Sequence, residues 1–508
     1  MNPTFLRYNA LDAACTKQCH DSFWPDLSQG FEPAYQMTID LLDPLIFMQT
    51  RGIKINLESL QETKLDILRT AGEKQEELNK LCGRELNVNS PKDCQTYFYV
   101  ELGIPPYYND GSVTVDDTAL QRLTRGTAKR PGLRQAKLVQ DIRGLQKLHG
   151  TYLDIEFDSD SRLRCSYNPR GTKFGRLSSS KTVFGTGTNQ QNLPQEFKRF
   201  LVADPGYVFW EVDKRQAEWV VVAYLSGDAN MIAVVEAGTD THIHTASLMF
   251  GVEPEVIEYE NKLVGNSTDA DFISDARMGD SILARYHRVL PRTMSARQCG
   301  KKSNHGLNYD EGFAKFALIN EIEQAEAKRV VELYHKGYPS IRSIFHEGVK
   351  KQLSKDRTLT NCFGRRVRFM DAWGPDLWKA AYSMVPQSSV VDSLNQGMIK
   401  VYADDELCVD LNIDLLAQVH DSVLLQVPIE VARTPNFQKV MSLVYDYVSP
   451  AMHYNGRNFK VATDSKFGLN WGGYHKERNP QGMREVKDFN ELPKLLAEWN
   501  LERTSELA

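Results

Sequence analysis

The sequence predicts an α+β protein built around an antiparallel sheet. Three stretches carry that expectation. "LLAQVHDSVLLQVP", Leu415 to Pro428, holds two apolar, branched runs separated by a short polar turn, the pattern of a β-hairpin. "GYVFWEVDKRQAEWVVVAYLSGD", Gly206 to Asp228, reads as a strand, "YVFWEV", that runs into a helix. "LESLQETKLDILRTAGEKQEELNKL", Leu57 to Leu81, repeats apolar residues at helical spacing in Leu57, Leu60, Ile67, Leu68, Ala71 and Leu78.

The remaining elements follow in chain order. The first residues, "MNPTFLRYNALD", have no signal-peptide layout, and the segment Tyr8–Trp24 reads as a helix with Leu11, Phe23 and Trp24 on an apolar face. After the long helix, "LGIPPYYNDGSVTVDD" carries Pro105-Pro106 and Asn109-Asp110-Gly111 as turn signals. From Arg122 to Gly150 the chain holds five Arg and three Lys against one acid, Asp141. Such a run serves either as a solvated face or as a set of phosphate contacts. "NPRGTKFGRLSSSKTVFGTGTNQQNLP" is rich in Gly, Ser and Thr, and strand and helix signals then alternate up to the hairpin. The tail "LLAEWNLERTSELA" reads as a surface helix.

Bulk properties bound the function. With 508 residues the chain is too long for one core and predicts several subdomains. Hydrophobic residues make up 41% and charged ones 25%, as in an ordinary soluble protein, and a net charge of -5 leaves any nucleic-acid binding to a local patch. No apolar run approaches the roughly 20 residues of a membrane helix. The eight cysteines are scattered without a CxxC pair, which fits free thiols in a reducing compartment, the cytoplasm.

Chemistry enters with paired carboxylates. Asp421 sits on the hairpin turn and Asp213 at the end of the "YVFWEV" strand. Two such groups on one sheet can hold two divalent cations about 3.5–4 Å apart, which clamp the attacking and leaving oxygens of a phosphoryl displacement. Mg²⁺ suits carboxylate oxygens and keeps places for water and phosphate. A third segment, "MSARQCGKKSNHGLNYDEGF", spaces Arg297, Lys301, His305 and Tyr309 four apart, along one slowly drifting helical ridge. Arg and Lys on one ridge are what a polyphosphate needs.

These segments resemble the family A DNA polymerases, the group of bacterial DNA polymerase I and many phage replicative enzymes. "DKRQAEWV" from Asp213 resembles the family's motif A, "RQCGKKSNHGLNYD" from Arg297 its motif B, and "QVHDS" from Gln418 its motif C. "GRLSS" from Gly175, "NQQNLP" from Asn189, "GRRVRF" from Gly364, Gln387 and "DSKFGLNW" add lesser matches in the right order. The likeness runs from about Tyr8 to about His475.

The resemblance implies a right-hand fold: a remnant of an exonuclease domain and a lead-in helix over 1–38, a thumb over 39–155, a palm over 156–239 and 373–508, and helical fingers over 240–372. It implies a DNA-templated DNA polymerase that extends a primer with dNTPs. Asp213, Asp421 and the carbonyl of Lys214 would hold two Mg²⁺ ions. Arg297, Lys301, His305, Tyr309, His242, Glu218 and Gln216 would bind the incoming dNTP, with Glu218 crowding C2′ as a sugar gate. Arg176, Gln387 and His420 would touch the minor groove at the primer end, where every Watson–Crick pair shows acceptors. Arg365, Arg366, Asn192, Arg143 and Lys147 would contact DNA elsewhere.

The sequence also departs from the family. Ser422 replaces the motif C glutamate, His305 an aromatic residue, and Asp310 the motif B glycine. An acidic insertion near 255–292, "EYENKLVGNSTDADFISDARMGD", is either a decoration of the fingers tip or a partner site. No long thumb loop of the kind that recruits thioredoxin is present, so no processivity factor of that type is expected. "YNALD" matches the last exonuclease motif, Tyr-x-x-x-Asp, but the earlier acidic motifs have no room before Tyr8. The chain is therefore expected to lack proofreading, either as a truncated polymerase or as one half of a split enzyme with a separately encoded 3′–5′ exonuclease partner. Competing readings are a single-subunit RNA polymerase, against which Glu218 argues, and a catalytically silent primer–template binding protein, against which the intact Asp213, Asp421, Arg297 and Lys301 argue.

Overall fold

The computed structural model describes residues 3–506 apart from 110, 126–129 and 321. A five-stranded antiparallel sheet lies at its centre. The strands are β1 (Tyr207–Lys214), β2 (Asp414–Val419), β3 (Ser422–Pro428), β4 (Thr463–Gly468) and β5 (Arg484–Val486), in the spatial order β2-β3-β1-β4-β5. The hairpin read from the sequence is β2–β3. Its turn shrinks to His420 and Asp421, because Ser422 already pairs with Val419. His420 takes a left-handed backbone, φ 52°, as a tight two-residue turn requires. Along β1, β3 pairs from Ser422 opposite Asp213 to Pro428 opposite Tyr207. On its other side, β4 sets Asp464 opposite Asp213.

Both faces of the sheet are covered, which is why its strands read as nearly continuous apolar runs rather than alternating ones. Trp210 and Val212 belong to a core with Leu394, Phe437 and Val444. Phe209 and Leu424 point the other way, into a core with Phe200, Leu201 and Trp471.

The helices that matter below are α1 (Pro3–Leu27), α2 (Leu57–Cys82), α3 (Arg134–Lys147), α4 (Ala217–Ser226), α5 (Thr241–Phe250), α6 (Pro254–Val264), α7 (Ala270–Met278), α8 (Ala296–Leu307), α9 (Pro375–Ala403), α10 (Phe437–Val448) and α11 (Leu492–Glu506). α2 is capped at its start by Asn56, whose side chain accepts the Ser59 N–H at 3.1 Å, and ends at Gly83 with φ 69°. Its apolar stripe is narrower than the sequence suggests: Leu60, Ile67 and Leu78 are buried, but Leu57 and Leu68 are exposed. Leu78 joins Leu138, Val139 and Ile142 of α3 in a small separate core. α1 is exposed along nearly its whole length, Tyr8, Leu11, Asp12 and Phe23 included. Trp24 departs from the expected apolar face, being half-buried with its ring edge-on to Tyr35.

The tail needs a correction. α11 is no surface helix: Leu492, Leu495, Leu496 and Trp499 are buried in the core shared with α10. The insertion near 255–292 is largely helical, holding α7 and nearly all of α6. The turn signal at Asp110, and the 126–129 part of the basic run, lie outside the described residues. All eight cysteines are free. Among the described residues no helix is long and apolar enough to cross a membrane.

Candidate active site

The register of the sheet decides what the paired carboxylates can do. Pairing of Ser422 with Asp213 puts Asp421, one residue earlier on the turn, beside the end of β1. The Lys214 N–H donates to the Asp421 carbonyl at 3.2 Å and ties the two strand ends together. Burial raises the pKa of Asp213 to about 6; the Lys466 ammonium opposes it, and the carboxylates of Glu211, Asp421 and Asp464 add to it. Burial also pushes the Asp421 carboxyl up, and Glu218 adds to that against Arg176, Lys214 and His420. One carboxylate oxygen of Asp421, Oδ1, is buried without a hydrogen-bond partner. The Lys214 ammonium is itself buried and bonds the Val448 carbonyl at the end of α10; burial lowers its pKa to about 7.

Asp421 opens on a cavity of about 300 Å³. His420, Arg176, Glu218 and Gln216 line it together with His242 of α5, Lys301 and His305 of α8, and Tyr309. Gln216, the residue just before α4, takes a left-handed φ of 51°. The Gln216 side chain accepts the Thr241 N–H at 3.1 Å and so docks the start of α5. Glu218 is held from both sides: Arg176 donates to Oε1 at 2.6 Å and Tyr309 to Oε2 at 2.5 Å.

Across the cavity, Asp240 caps α5 by accepting the His242 and Ile243 N–H groups. Its other oxygen accepts from Arg297 at 3.0 and 2.7 Å. Burial brings the His242 pKa down to about 4, so the ring is neutral at pH 7. Asn304 sits 3.1 Å from its Nδ1 and is held in turn by Thr245 at 2.8 Å. The four-residue ridge is real for Arg297, Lys301 and His305 on α8, but not for Tyr309. The helix ends at Leu307, and Asp310 adopts φ 60°. That is a left-handed position suited to glycine, which Asp tolerates better than most residues.

Other residues singled out from the sequence lie apart. Gln387 is half-buried on α9 and outside the cavity lining. Asn192 is exposed, and Lys147 lines a different cavity of about 510 Å³ with Lys74 and Glu196. Three arginines expected as phosphate ligands already have internal partners. Arg143 donates to the Val88 and Val115 carbonyls at 2.6 and 2.8 Å. Arg365 forks onto Asp392, which is fully buried, at 2.8 Å. Arg366 donates to the Gln29 carbonyl at 3.0 Å and lies over the Phe31 ring. The basic run is partly neutralised as well, with Arg134 on Glu77 and Lys137 on Asp141.

Sequence reasoning gave no role to Gln418 or Gln191, although both lie in quoted motifs. Gln418 Nε2 donates to the His420 carbonyl at 2.6 Å, and Gln191 Nε2 donates to Gln418 Oε1 at 2.9 Å. This chain of amides fixes the turn that carries His420 and Asp421. Asn304 was missed because it lies off the four-residue ridge.

Comparison with known proteins shows the fold and the family. The chain is 27% identical over 401 residues to the thermostable DNA polymerase I of Thermus thermophilus, covering 75% of this chain and 42% of that protein. It is 27% identical over 480 residues to DNA polymerase I of Chloroflexus aurantiacus, covering 87% and 45% respectively. The chain thus spans less than half the length of these relatives. Among solved structures, the POL domain of Pol1 from M. smegmatis, in complex with DNA primer-template and dNTP, superposes with a TM-score of 0.68 at 22% identity, covering 85% of this chain and 70% of that one. The fold is therefore the right hand of palm sheet, helical fingers and helical thumb. Residues 57–264 and 285–473 match the profile of DNA polymerase family A, and the chain belongs to that family.

Proposed function

We propose that this chain is a DNA-directed DNA polymerase, adding dNTPs to a primer 3′-end on a DNA template. The observation that carries the reading is the strand register that sets Asp213 and Asp421 at adjoining strand ends, with Asp421 facing Lys301, His305 and the Glu218–Tyr309 pair across one cavity and Arg297 on the same helix as Lys301.

The residues fit a divalent hard cation. Asp421 Oδ1 is buried and unpartnered, and burial, with neighbouring carboxylates added, raises the pKa of Asp213 and Asp421 despite the nearby Lys466, Arg176 and Lys214, so a bound divalent cation would be favourable there. Among the described residues no three His, Cys, Asp or Glu side chains form a closed metal cage. Two carboxylates with the Lys214 carbonyl make an open set instead, the kind Mg²⁺ uses when substrate phosphates and water complete its shell. Bound Mg²⁺ would lower the pKa of the primer hydroxyl and neutralise charge on the triphosphate. The protein does the rest. Arg297 and Lys301 take the phosphates, with neutral His242 as a hydrogen-bond donor, and Asp240 holds Arg297 in place. His305 stands against the sugar. His420 and Arg176 face the primer end, with Gln387, Asn192 and Lys147 further along the duplex. In this reading 39–155 is the thumb, 156–239 and 373–508 the palm, and 240–372 the fingers.

The reading places the protein in the cytoplasm and assigns no exonuclease site to these 508 residues. Asp12 lies on the exposed α1, and among the described residues it joins no group of three acidic or His ligands of the kind a two-metal exonuclease needs. A separate exonuclease subunit would cover the exposed Leu11 and Phe23. Primer extension with Mg²⁺ tests the main reading: template-directed dNTP addition supports it, and no addition, or rNTP addition preferred over dNTP, refutes it. A mismatched primer end left untrimmed without nucleotides is the matching result for proofreading.

A further inference from the structure

We propose that Arg277 and Glu260 are positioning residues for the incoming nucleotide. They fix the start of α8, the helix that carries Arg297, Lys301 and His305. The inference rests on the reading above, in which that helix holds the triphosphate.

Arg277 lies on α7, inside the stretch 265–284 that the family match passes over. It is one of the largest fully buried side chains, at 1% exposure, and Glu260 on α6 is at 0%. Every polar atom of the pair is used. Arg277 Nε and Nη2 donate to Glu260 Oε1 at 3.1 and 2.5 Å. Nη1 donates to the Pro291 carbonyl at 2.6 Å, and Nη2 also to the Met294 carbonyl at 3.0 Å. Glu260 Oε2 accepts the N–H of Ala296 at 3.0 Å, the first residue of α8.

The pair therefore grips both sides of one junction. The guanidinium holds the two carbonyls of the lead-in, and the carboxylate takes one of the N–H groups that a helix start leaves without an internal partner. A buried ion pair is seldom retained for stability alone, because apolar residues of similar size serve as well. Here it specifies where a helix begins and at what angle. Arg297 is the next residue, and His305 lies nine residues from Ala296, so a tilt at the start is amplified along the ridge. A small displacement of phosphate ligands is enough to impair a reaction that depends on positioning. The insertion then acts on nucleotide binding without touching the nucleotide.

The test measures dNTP KM, kcat, primer–template Kd and Tm for four variants. Glu260→Met with Arg277→Met removes both charges and keeps an apolar filling. Glu260→Gln keeps the shape and loses the charge. Arg297→Ala, made in both the parent and the double variant, checks the underlying reading. The expected result is a rise in dNTP KM of about tenfold in the double variant, with a smaller change in kcat and an unchanged primer–template Kd. Glu260→Gln should rise less. Arg297→Ala should raise KM in the parent and less so in the double variant, since the two changes act on one contact. Parental KM in Glu260→Gln, or in a folded double variant, overturns the proposal, whatever Tm does. If Arg297→Ala leaves KM unchanged in the parent, the triphosphate reading of α8 fails and takes this inference with it.

Discussion

The Tyr309 hydroxyl donates to Glu218 Oε2 at 2.5 Å, and the bond ties the first turn of α4 to the segment that follows α8. With Arg176 on the other oxygen, the carboxylate has no freedom to swing away. A sugar gate needs that rigidity, because a side chain that can rotate excludes nothing. Glu218→Ala should therefore raise ribonucleotide incorporation relative to deoxyribonucleotide by at least about tenfold. Tyr309→Phe, which removes only the hydroxyl, should move it the same way by less. Competition between rNTP and dNTP in primer extension gives the ratio, and parental discrimination in Glu218→Ala would remove the gate assignment.

The Asp213 and Asp421 carboxylates should be needed for chemistry and not for folding. Asp213→Asn and Asp421→Asn keep the side-chain shape and relieve buried like charges, so Tm in metal-free buffer should hold or rise. Nucleotide addition should fall by at least about a thousandfold, with primer–template binding unchanged. Mg²⁺ should raise the Tm of the parent and not of the Asp213→Asn, Asp421→Asn double variant, since only a species that binds the native state stabilises it. An equal Mg²⁺ shift in both proteins would place the ion elsewhere.

A pH dependence follows from Asp204, at the base of the palm. Burial pushes its carboxyl up, but hydrogen bonds from Gln426, Arg51 and Arg162 outweigh that and hold it below the ordinary 3.8. A depressed folded-state pKa means stability that is present above the unfolded value and is lost as pH falls through the folded one. Asp204→Asn should be less stable than the parent by about 1–3 kcal/mol at pH 7. The difference should shrink as pH drops below about 3.8. Urea unfolding of both proteins from pH 7 downward measures it; a gap that widens toward acid would reverse the sign.

Much of this was legible in the chain because local pattern and tertiary structure agree. The hairpin and the "YVFWEV" strand form as read, and their register then brings Asp213 to Asp421, a meeting that spacing alone could not prove. The tail carries the signal of a buried face: Leu492, Leu495, Leu496 and Trp499 recur at helical spacing. Tyr309 shows the opposite case. Its spacing continues the α8 ridge, but the helix ends at Leu307, two residues before it, and the chain turns through the left-handed Asp310. The partners of Arg143 were not readable at all. They are backbone carbonyls brought near by the fold, and carbonyls leave no mark in a sequence.

Arg365 gives the last prediction. The motif "GRRVRF" makes it look like a phosphate ligand, yet its guanidinium sits on Asp392, 27 positions further along the chain and fully buried on α9. Burial raises the Asp392 pKa, and Arg365 is what opposes that rise. Arg365→Ala would leave a buried carboxylate without its counter-charge, which destabilises by about 3–5 kcal/mol. Removing the carboxylate as well, as in Arg365→Met with Asp392→Leu, should return most of that loss, because the penalty lies in the unpaired charge. Unfolding measurements on the two variants should show this order. Primer–template affinity at fixed salt supplies the second axis. For a structural pair, the folded double variant should bind DNA like the parent. For a phosphate ligand, its affinity should fall and the slope of log Kd against log salt should flatten by about one. That second outcome would return Arg365 to the DNA-binding set.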